Sequence, residues 1–186
     1  MALFPGTRLG PYEIVSALGS GGMGEVYKAV DTRLGRTVAI KTLAREHAAR
    51  FQQEARAIAA LSHPHICVLH DVGPDYLVME YLEGNALRGP LPLDDVLRVT
   101  SEVVDALDAA HSKGIFHRDL KPANILMTST GTKLLDFGIA RLFGASPDAT
   151  RSGTGDVIGT PAYMSPEQAQ GMPASTRARM CSVSAQ

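Results

Sequence analysis

Apolar and polar positions alternate through the first third of the chain. Tyr12-Glu13-Ile14-Val15 runs into a glycine cluster, Glu25-Val26-Tyr27-Lys28-Ala29-Val30 follows it, and Arg36-Thr37-Val38-Ala39-Ile40-Lys41 resumes after a turn at Gly35. Such runs, bounded by glycine, predict strands. The period then lengthens. Phe51, Ala55, Ile58 and Leu61 recur at i, i+4, i+7 and i+10, one apolar stripe on a helix over residues 48–61. Val68-Leu69 and Leu77-Val78-Met79 predict two further strands.

The pattern breaks near Gly84-Asn85, where Gly89, Pro90 and Pro92 interrupt the chain. A long helix is predicted over residues 94–112. Asp94 and Asp95 suit its positive N-terminal end, Val96, Val99, Val103, Leu107 and Ala110 form its stripe, and Gly114 follows its last turn. Short strands are expected around Ile125-Leu126 and Lys133-Leu134-Leu135, and residues 144–171 read as loop. A strand-rich part thus precedes a helix-rich part.

Composition changes this picture little. The 186 residues are 45% hydrophobic and 20% charged, as in ordinary globular domains, and the length suits about one domain. Eighteen basic and nineteen acidic residues give a net charge of −1, which predicts neither nucleic acid nor a membrane surface as partner. Cys67 and Cys181 match no zinc or redox spacing and read as free thiols in a reducing cytoplasm. The N-terminus lacks a signal-peptide pattern, and no apolar run approaches the ~18 residues of a membrane span.

The candidate chemistry lies in five clusters. Gly19-Ser20-Gly21-Gly22-Met23-Gly24-Glu25-Val26 fits G-x-G-x-x-G-x-V, in which glycines let backbone N–H groups approach phosphate oxygens. Alone the pattern is weak, because a dinucleotide-binding loop or a plain turn reads similarly. A dinucleotide loop opens a helix, whereas here a strand follows, which favours a hairpin covering a ligand. Val38-Ala39-Ile40-Lys41 ends the next strand with a lysine, ordinarily a solvated end but here placed for α- and β-phosphates. Glu54 shares the inward face of its predicted helix; glutamates on helices are mostly solvated, and the functional reading is an ion pair with Lys41. His117-Arg118-Asp119-Leu120-Lys121-Pro122-Ala123-Asn124 offers a carboxylate for a hydroxyl proton and an amide oxygen for a metal. Asp136-Phe137-Gly138, twelve residues after Asn124, offers a second metal ligand.

In this order the motifs resemble the protein kinase superfamily, from about Gly10 to about Ala178. The resemblance implies an α+β, two-lobed protein-kinase-like fold: an antiparallel sheet and one regulatory helix (about 10–81), then a mainly helical C-lobe (about 84–178). It implies transfer of the ATP γ-phosphoryl group to protein Ser/Thr hydroxyls with Mg²⁺. On this chain it gives Asp119 as base and Lys41, Glu54, Lys121 and Arg118 as its catalytic companions. Asn124 and Asp136 become the Mg²⁺ ligands. ATP would be held by Leu18, Gly19, Ser20, Gly21, Gly22, Met23, Gly24, Val26, Ala39, Lys41, Met79, Glu80, Leu82 and Leu126. Lys121 and the run from Gly159 to Glu167 resemble the serine/threonine class, and Gly21 to Tyr27 and Pro161 to Gln168 its bacterial branch. Met79 resembles the gatekeeper, and is equally a core methionine. Arg118 implies regulation through a phosphorylated loop residue among Thr150, Ser152 and Thr154.

The chain departs from the family near its end. Arg179 stands where the resemblance leads one to expect aspartate, the arginine that pairs with the equivalent of Glu167 is missing, and residues 179–186 form a divergent tail. The stretches from Lys41 to Glu54, Val72 to Tyr76 and Asn85 to Pro90 are short for the family. These departures predict an incomplete C-lobe, an apolar face of the long helix left uncovered, and doubtful intrinsic activity. The competing readings are a non-catalytic nucleotide-binding or dimerising module and a nonfunctional fragment. The expected partners are Ser/Thr-bearing proteins and a second copy through the N-lobe.

Overall fold

The computed structural model describes residues 2–21, 24–43, 55 and 58–137. The strands over the first third form as the alternation predicts. β1 (Arg8–Leu9), β2 (Tyr12–Gly21), β3 (Gly24–Asp31), β4 (Arg36–Thr42), β5 (Leu69–Val72) and β6 (Tyr76–Glu80) make one antiparallel sheet ordered β1-β2-β3-β4-β6-β5. Its two faces follow from the period of two. Tyr12, Ile14, Tyr27, Ala29, Val38, Ile40, Tyr76 and Val78 pack into one core on one face. The sheet curls around that core: the Tyr12 hydroxyl on β2 donates to Asp71 Oδ2 on β5 at 2.6 Å, and the Tyr12 and Tyr76 rings meet edge to face.

The other face carries Val26, Lys28, Ala39, Lys41, Leu77 and Met79, because antiparallel partners point the same way. The register pairs Val26 with Lys41, Lys28 with Ala39, Lys41 with Leu77 and Ala39 with Met79. Ala55, Leu69 and Leu77 form a second core under this face. Of the predicted helix over 48–61, residues 55, 58 and 59 are helical, Ala55 is fully buried, and Leu61 is buried just after a turn. The rest of that helix lies outside the described residues.

Gly89, Pro90 and Pro92 do interrupt the chain, since residues 87–92 form no helix or strand, but where the pattern changes at Gly84-Asn85 the structure has a short strand that the sequence did not show. β7 (Gly84–Ala86) pairs with β8 (Ile125–Thr128), which pairs with β9 (Gly131–Leu134). Glycine is needed there, since a Cβ on Gly84 would meet the Met127 carbonyl oxygen at 2.3 Å. The long helix, Leu93–Ser112, lies against β9, with Val99, Val103, Ala106 and Ala110 buried beside Ile125, Leu134 and Phe137. Val96, expected in the stripe, is 42% exposed: it stands one turn before Val99, where the buried stripe begins. Leu93, Leu97 and Val104 are also exposed, the uncovered apolar surface that the sequence predicts on this helix. Glu102 accepts from the Thr132 N–H at 2.8 Å and fixes the helix to β9.

Gly24 carries a specific demand. Its φ is +122°, and a Cβ there would lie 2.1 Å from the Thr42 carbonyl oxygen. Gly24→Ala is expected to destabilise by at least the ~1–3 kcal/mol of a strained backbone position. That lowers the melting midpoint by roughly 2–4 °C per kcal/mol. Gly19→Ala, where nothing lies within 4 Å, leaves it nearly unchanged. Thermal unfolding of the two variants checks this, and equal midpoints count against it.

Candidate active site

The cleft face of the large sheet meets the segment 117–137. Lys41 is only 4% exposed, and its ammonium reaches Asp136 Oδ2 at 2.8 Å. Asp136 adopts φ +58° and Arg118 φ +67°. For residues other than glycine such backbone is strained, and strain of this kind gathers at functional sites. Both residues belong to the motifs singled out above.

Leu135 joins the two motif segments. Its N–H donates to the Asn124 carbonyl at 2.9 Å, and its own carbonyl accepts from His117 Nε2 at 2.8 Å. His117 is fully buried, and its ring lies 4.7 Å from that of Phe137. Asp136, next to Leu135, is thereby held beside the 117–124 loop. Within that loop Asn124 Nδ2 donates to the Asp119 carbonyl at 2.8 Å and to Asp119 Oδ2 at 3.1 Å. Its amide nitrogen is thus occupied and its Oδ1 is the atom left for a cation. Lys121 Nζ pairs with Asp119 Oδ2 at 2.7 Å, and the 3-10 turn Pro122–Asn124 separates Lys121 from β8.

Burial holds the His117 imidazole below the ordinary histidine range, against the weaker opposing pull of the Leu135 carbonyl and nearby carboxylates. The folded state therefore resists a proton that the unfolded chain takes up near pH 6.5. Stability rises with pH wherever the unfolded chain binds more protons, so this contribution is complete above pH 6.5 and declines as the pH falls below it. The loss is up to about 1.4 kcal/mol per pH unit until the folded group itself protonates. Urea unfolding at pH 7.5 and 5.5 should show the lower midpoint at 5.5, with a smaller difference in His117→Gln; equal dependence in both proteins contradicts this.

The other described residues predicted to hold nucleotide lie on the large sheet, on the connector that follows it and on the small sheet. Ala39 is 8% exposed on β4, Val26 and Met79 are half-buried on the cleft face, and Leu126 pairs with Lys133 on the opposing small sheet. Glu80 and Leu82 are half-buried at the end of β6 and just beyond it, while Leu18 and Gly19 are exposed on β2 with Ser20. Gly21 ends β2, opposite Gly24. Gly22, Met23, Glu54, Gly138, Thr150, Ser152, Thr154, the segment 159–168 and the tail 179–186 lie outside the described residues.

Three features were not legible in the motifs. Lys133 grips both Glu80 carboxylate oxygens at 2.9 and 3.1 Å, tying the end of β6 to the strand that leads to Asp136. Cys67, beside Glu80, has its thiol pushed up to about 12 by burial and then by the Glu80 and Asp136 carboxylates, which keeps it protonated and unreactive. A small cavity lies behind Met79, lined by Ala55, Ile58, Cys67, Leu69, Leu77 and Phe137 among others. The first two depend on which strands become neighbours, a fact no local spacing carries.

Comparison with known proteins agrees with this geometry. The profile of the protein kinase domain matches residues 12–185. The serine/threonine-protein kinase PknB of Mycobacterium leprae is 42% identical over 181 residues, covering 86% of this chain and 29% of the relative. A probable PknB of Lactococcus lactis is 44% identical, covering 86% of this chain and 28% of its own. The crystal structure of the Mycobacterium tuberculosis PknI kinase domain superposes with a TM-score of 0.74 at 33% identity, covering 94% of this chain and 69% of that one. The chain spans under a third of the length of these curated relatives. A curled antiparallel sheet, a small sheet and a long helix, with the described motif residues gathered beside them, accord with these likenesses, and the chain belongs to the protein kinase domain family.

Proposed function

We propose that this chain is a serine/threonine protein kinase domain that transfers the γ-phosphoryl group of ATP to protein hydroxyls. The observation that carries the reading is the lock through Leu135, which holds Asp136 beside Asn124 and Asp119 while Lys41 reaches Asp136 from the opposite wall.

Mg²⁺ fits the oxygen donors on offer, the Asp136 carboxylate and Asn124 Oδ1, since it prefers hard ligands together with substrate phosphates. When bound it would neutralise charge on the transferring group. Lys41 would turn from Asp136 toward the α- and β-phosphates, and the hairpin from Gly19 to Gly24 would cover them with backbone N–H groups. Asp119 would take the proton of the substrate hydroxyl as its oxygen bonds to the γ-phosphorus and the bond from that phosphorus to the β-phosphate oxygen breaks. Lys121 holds the Asp119 carboxylate now and would contact the γ-phosphate as well. Ala39 and Val26 would roof the adenine, Leu126 would floor it, and the backbone of Glu80 and Leu82 would bond its edge.

Arg118 would pair with a phosphate on Thr150, Ser152 or Thr154, a charge-assisted contact that orders such loops. Leu34 is 65% exposed on the β3–β4 turn between Arg33 and Arg36, an apolar tip that an N-lobe homodimer would cover. ATP use and the wide sequence separation of Cys67 and Cys181 favour a cytoplasmic site of action. Among the described residues no helix is long and apolar enough to cross a membrane.

The deciding experiment is thermal unfolding with and without Mg-ATP, followed by transfer of labelled phosphate to a protein substrate. Ligand at about 100 times its Kd adds ~2.7 kcal/mol. A midpoint rise of roughly 5–10 °C is then expected. Binding without transfer makes this a nucleotide-binding module rather than an enzyme. No rise at saturating Mg-ATP overturns the reading.

A further inference from the structure

We propose that Lys28 and Tyr81 form a clasp at one end of the nucleotide cleft, which makes Lys28 a positioning residue for nucleotide binding. The proposal rests on the nucleotide reading above and adds to it a pair that lies in none of the motifs.

Lys28 stands on the cleft face. The register pairs it with Ala39, one strand from Met79, and places it two residues along β3 from Val26, the partner of Lys41. Its neighbours Tyr27 and Ala29 point the other way, into the sheet's own core. Two lysines therefore share this face. Lys41 spends its charge on Asp136. Lys28 places its ammonium 4.5 Å from the centroid of the Tyr81 ring, and among the described residues no carboxylate pairs with it.

The ordinary reading of a strand lysine is a solvated side chain. Two observations set this one apart: it lies on the cleft face, and it is directed over an aromatic face, whose quadrupole attracts a cation. Tyr81 is the first residue after β6 and precedes Leu82 in the connector to β7. β3 begins at Gly24, the last glycine of the covering hairpin. The contact thus links the strand that carries Val26 directly to the connector between β6 and β7. Register alone reaches the same connector only through β4 and β6. Both side chains are half-buried, so solvent screens the attraction only in part. Without the clasp, roof and connector lose a shared anchor, and the nucleotide must order both on binding. That raises Kd and leaves the chemical step unchanged once the nucleotide is bound.

The test is equilibrium binding of Mg-ATP by calorimetry to wild type, Lys28→Met, Lys28→Gln, Tyr81→Leu and the double variant Lys28→Met/Tyr81→Leu. Lys28→Arg and Tyr81→Phe are the conservative controls. Each of the disruptive single variants should weaken binding roughly threefold to tenfold. Lys28→Arg and Tyr81→Phe should stay within about twofold, since guanidinium and phenyl preserve the cation and the π face. The double variant should bind no more weakly than the worse single, the mark of one shared interaction. Lys28→Gln keeps a polar chain and repeats the comparison independently of any folding defect in Lys28→Met. Unchanged Kd in the disruptive variants, strictly additive losses, or failure of Lys28→Arg to rescue overturns the clasp. Wild type that binds no Mg-ATP overturns the nucleotide reading itself, a result distinct from wild type that binds and variants that match it.

Discussion

If the proposed transfer runs through Asp119, Asp119→Asn is expected to lower its rate by roughly 10²–10⁴-fold, the span that a positioned general base contributes. The substitution isolates the proton-accepting role because it changes little else. The Asp119 backbone carbonyl still accepts from Asn124 Nδ2, the shorter of that residue's two bonds. The new amide oxygen can still accept from Asn124 and from Lys121, which now hold Oδ2 at 3.1 and 2.7 Å. Lys121 loses the charge of its partner, but its side chain is 26% exposed and water replaces much of what is lost. The melting midpoint and the Mg-ATP Kd are therefore expected to stay close to wild type while transfer collapses. Single-turnover phosphate transfer alongside thermal unfolding separates the effects. A variant that keeps more than about a tenth of the wild-type rate removes Asp119 from the role of base.

What the sequence made legible was local. The alternation over residues 12–15, 25–30 and 36–41 produced strands where expected, because period two buries one face of each against a core, but the first strand runs on through the glycine cluster to Gly21, which the alternation did not show. The helix at Leu93–Ser112 followed from its stripe, with an error at Val96 because periodicity names a helical face and not where the covering element begins. β7 was missed for a different reason. Gly84 stands where the pattern changes and has no side chain to show an alternation, yet glycine is required there because the backbone of Met127 passes so close. The motif spacing brought Asp119, Asn124 and Asp136 to one region, but the agent that holds them is Leu135, through backbone atoms that any residue possesses. The grip of Lys133 on Glu80 and the place of Lys28 over Tyr81 depend on sheet order, which joins residues 53 apart in both pairs. The sequence reading gave Lys41 the partner Glu54, which lies outside the described residues; the partner that the structure records is Asp136.

Lys41→Met is expected to abolish transfer to a similar extent by another route, and to weaken nucleotide binding as Asp119→Asn does not. Lys41 is the buried cation of the cleft face, with only 6% of its side chain exposed, while its partner Asp136 is 24% exposed. Methionine fills the same volume and removes the charge. Asp136 then faces the cleft without its ammonium, which costs less than the ~3–5 kcal/mol of a fully buried broken pair because water reaches it. The apo protein should melt a few degrees lower, at roughly 2–4 °C per kcal/mol. For nucleotide the balance is worse: the phosphates lose their buried cation just where the Asp136 carboxylate is already negative. Removal of one preorganised electrostatic contact of this kind costs about 10²–10³-fold in rate. Lys41→Arg should not rescue it, because the longer planar guanidinium must fit where the side chain is almost wholly enclosed between strands carrying Val26 and Leu77. Transfer rates, Mg-ATP calorimetry and melting of the Met and Arg variants test the three parts together. If Lys41→Arg restores both binding and rate, any cation would serve, and the fixed reach from Lys41 to Asp136 would not be what sets the phosphates.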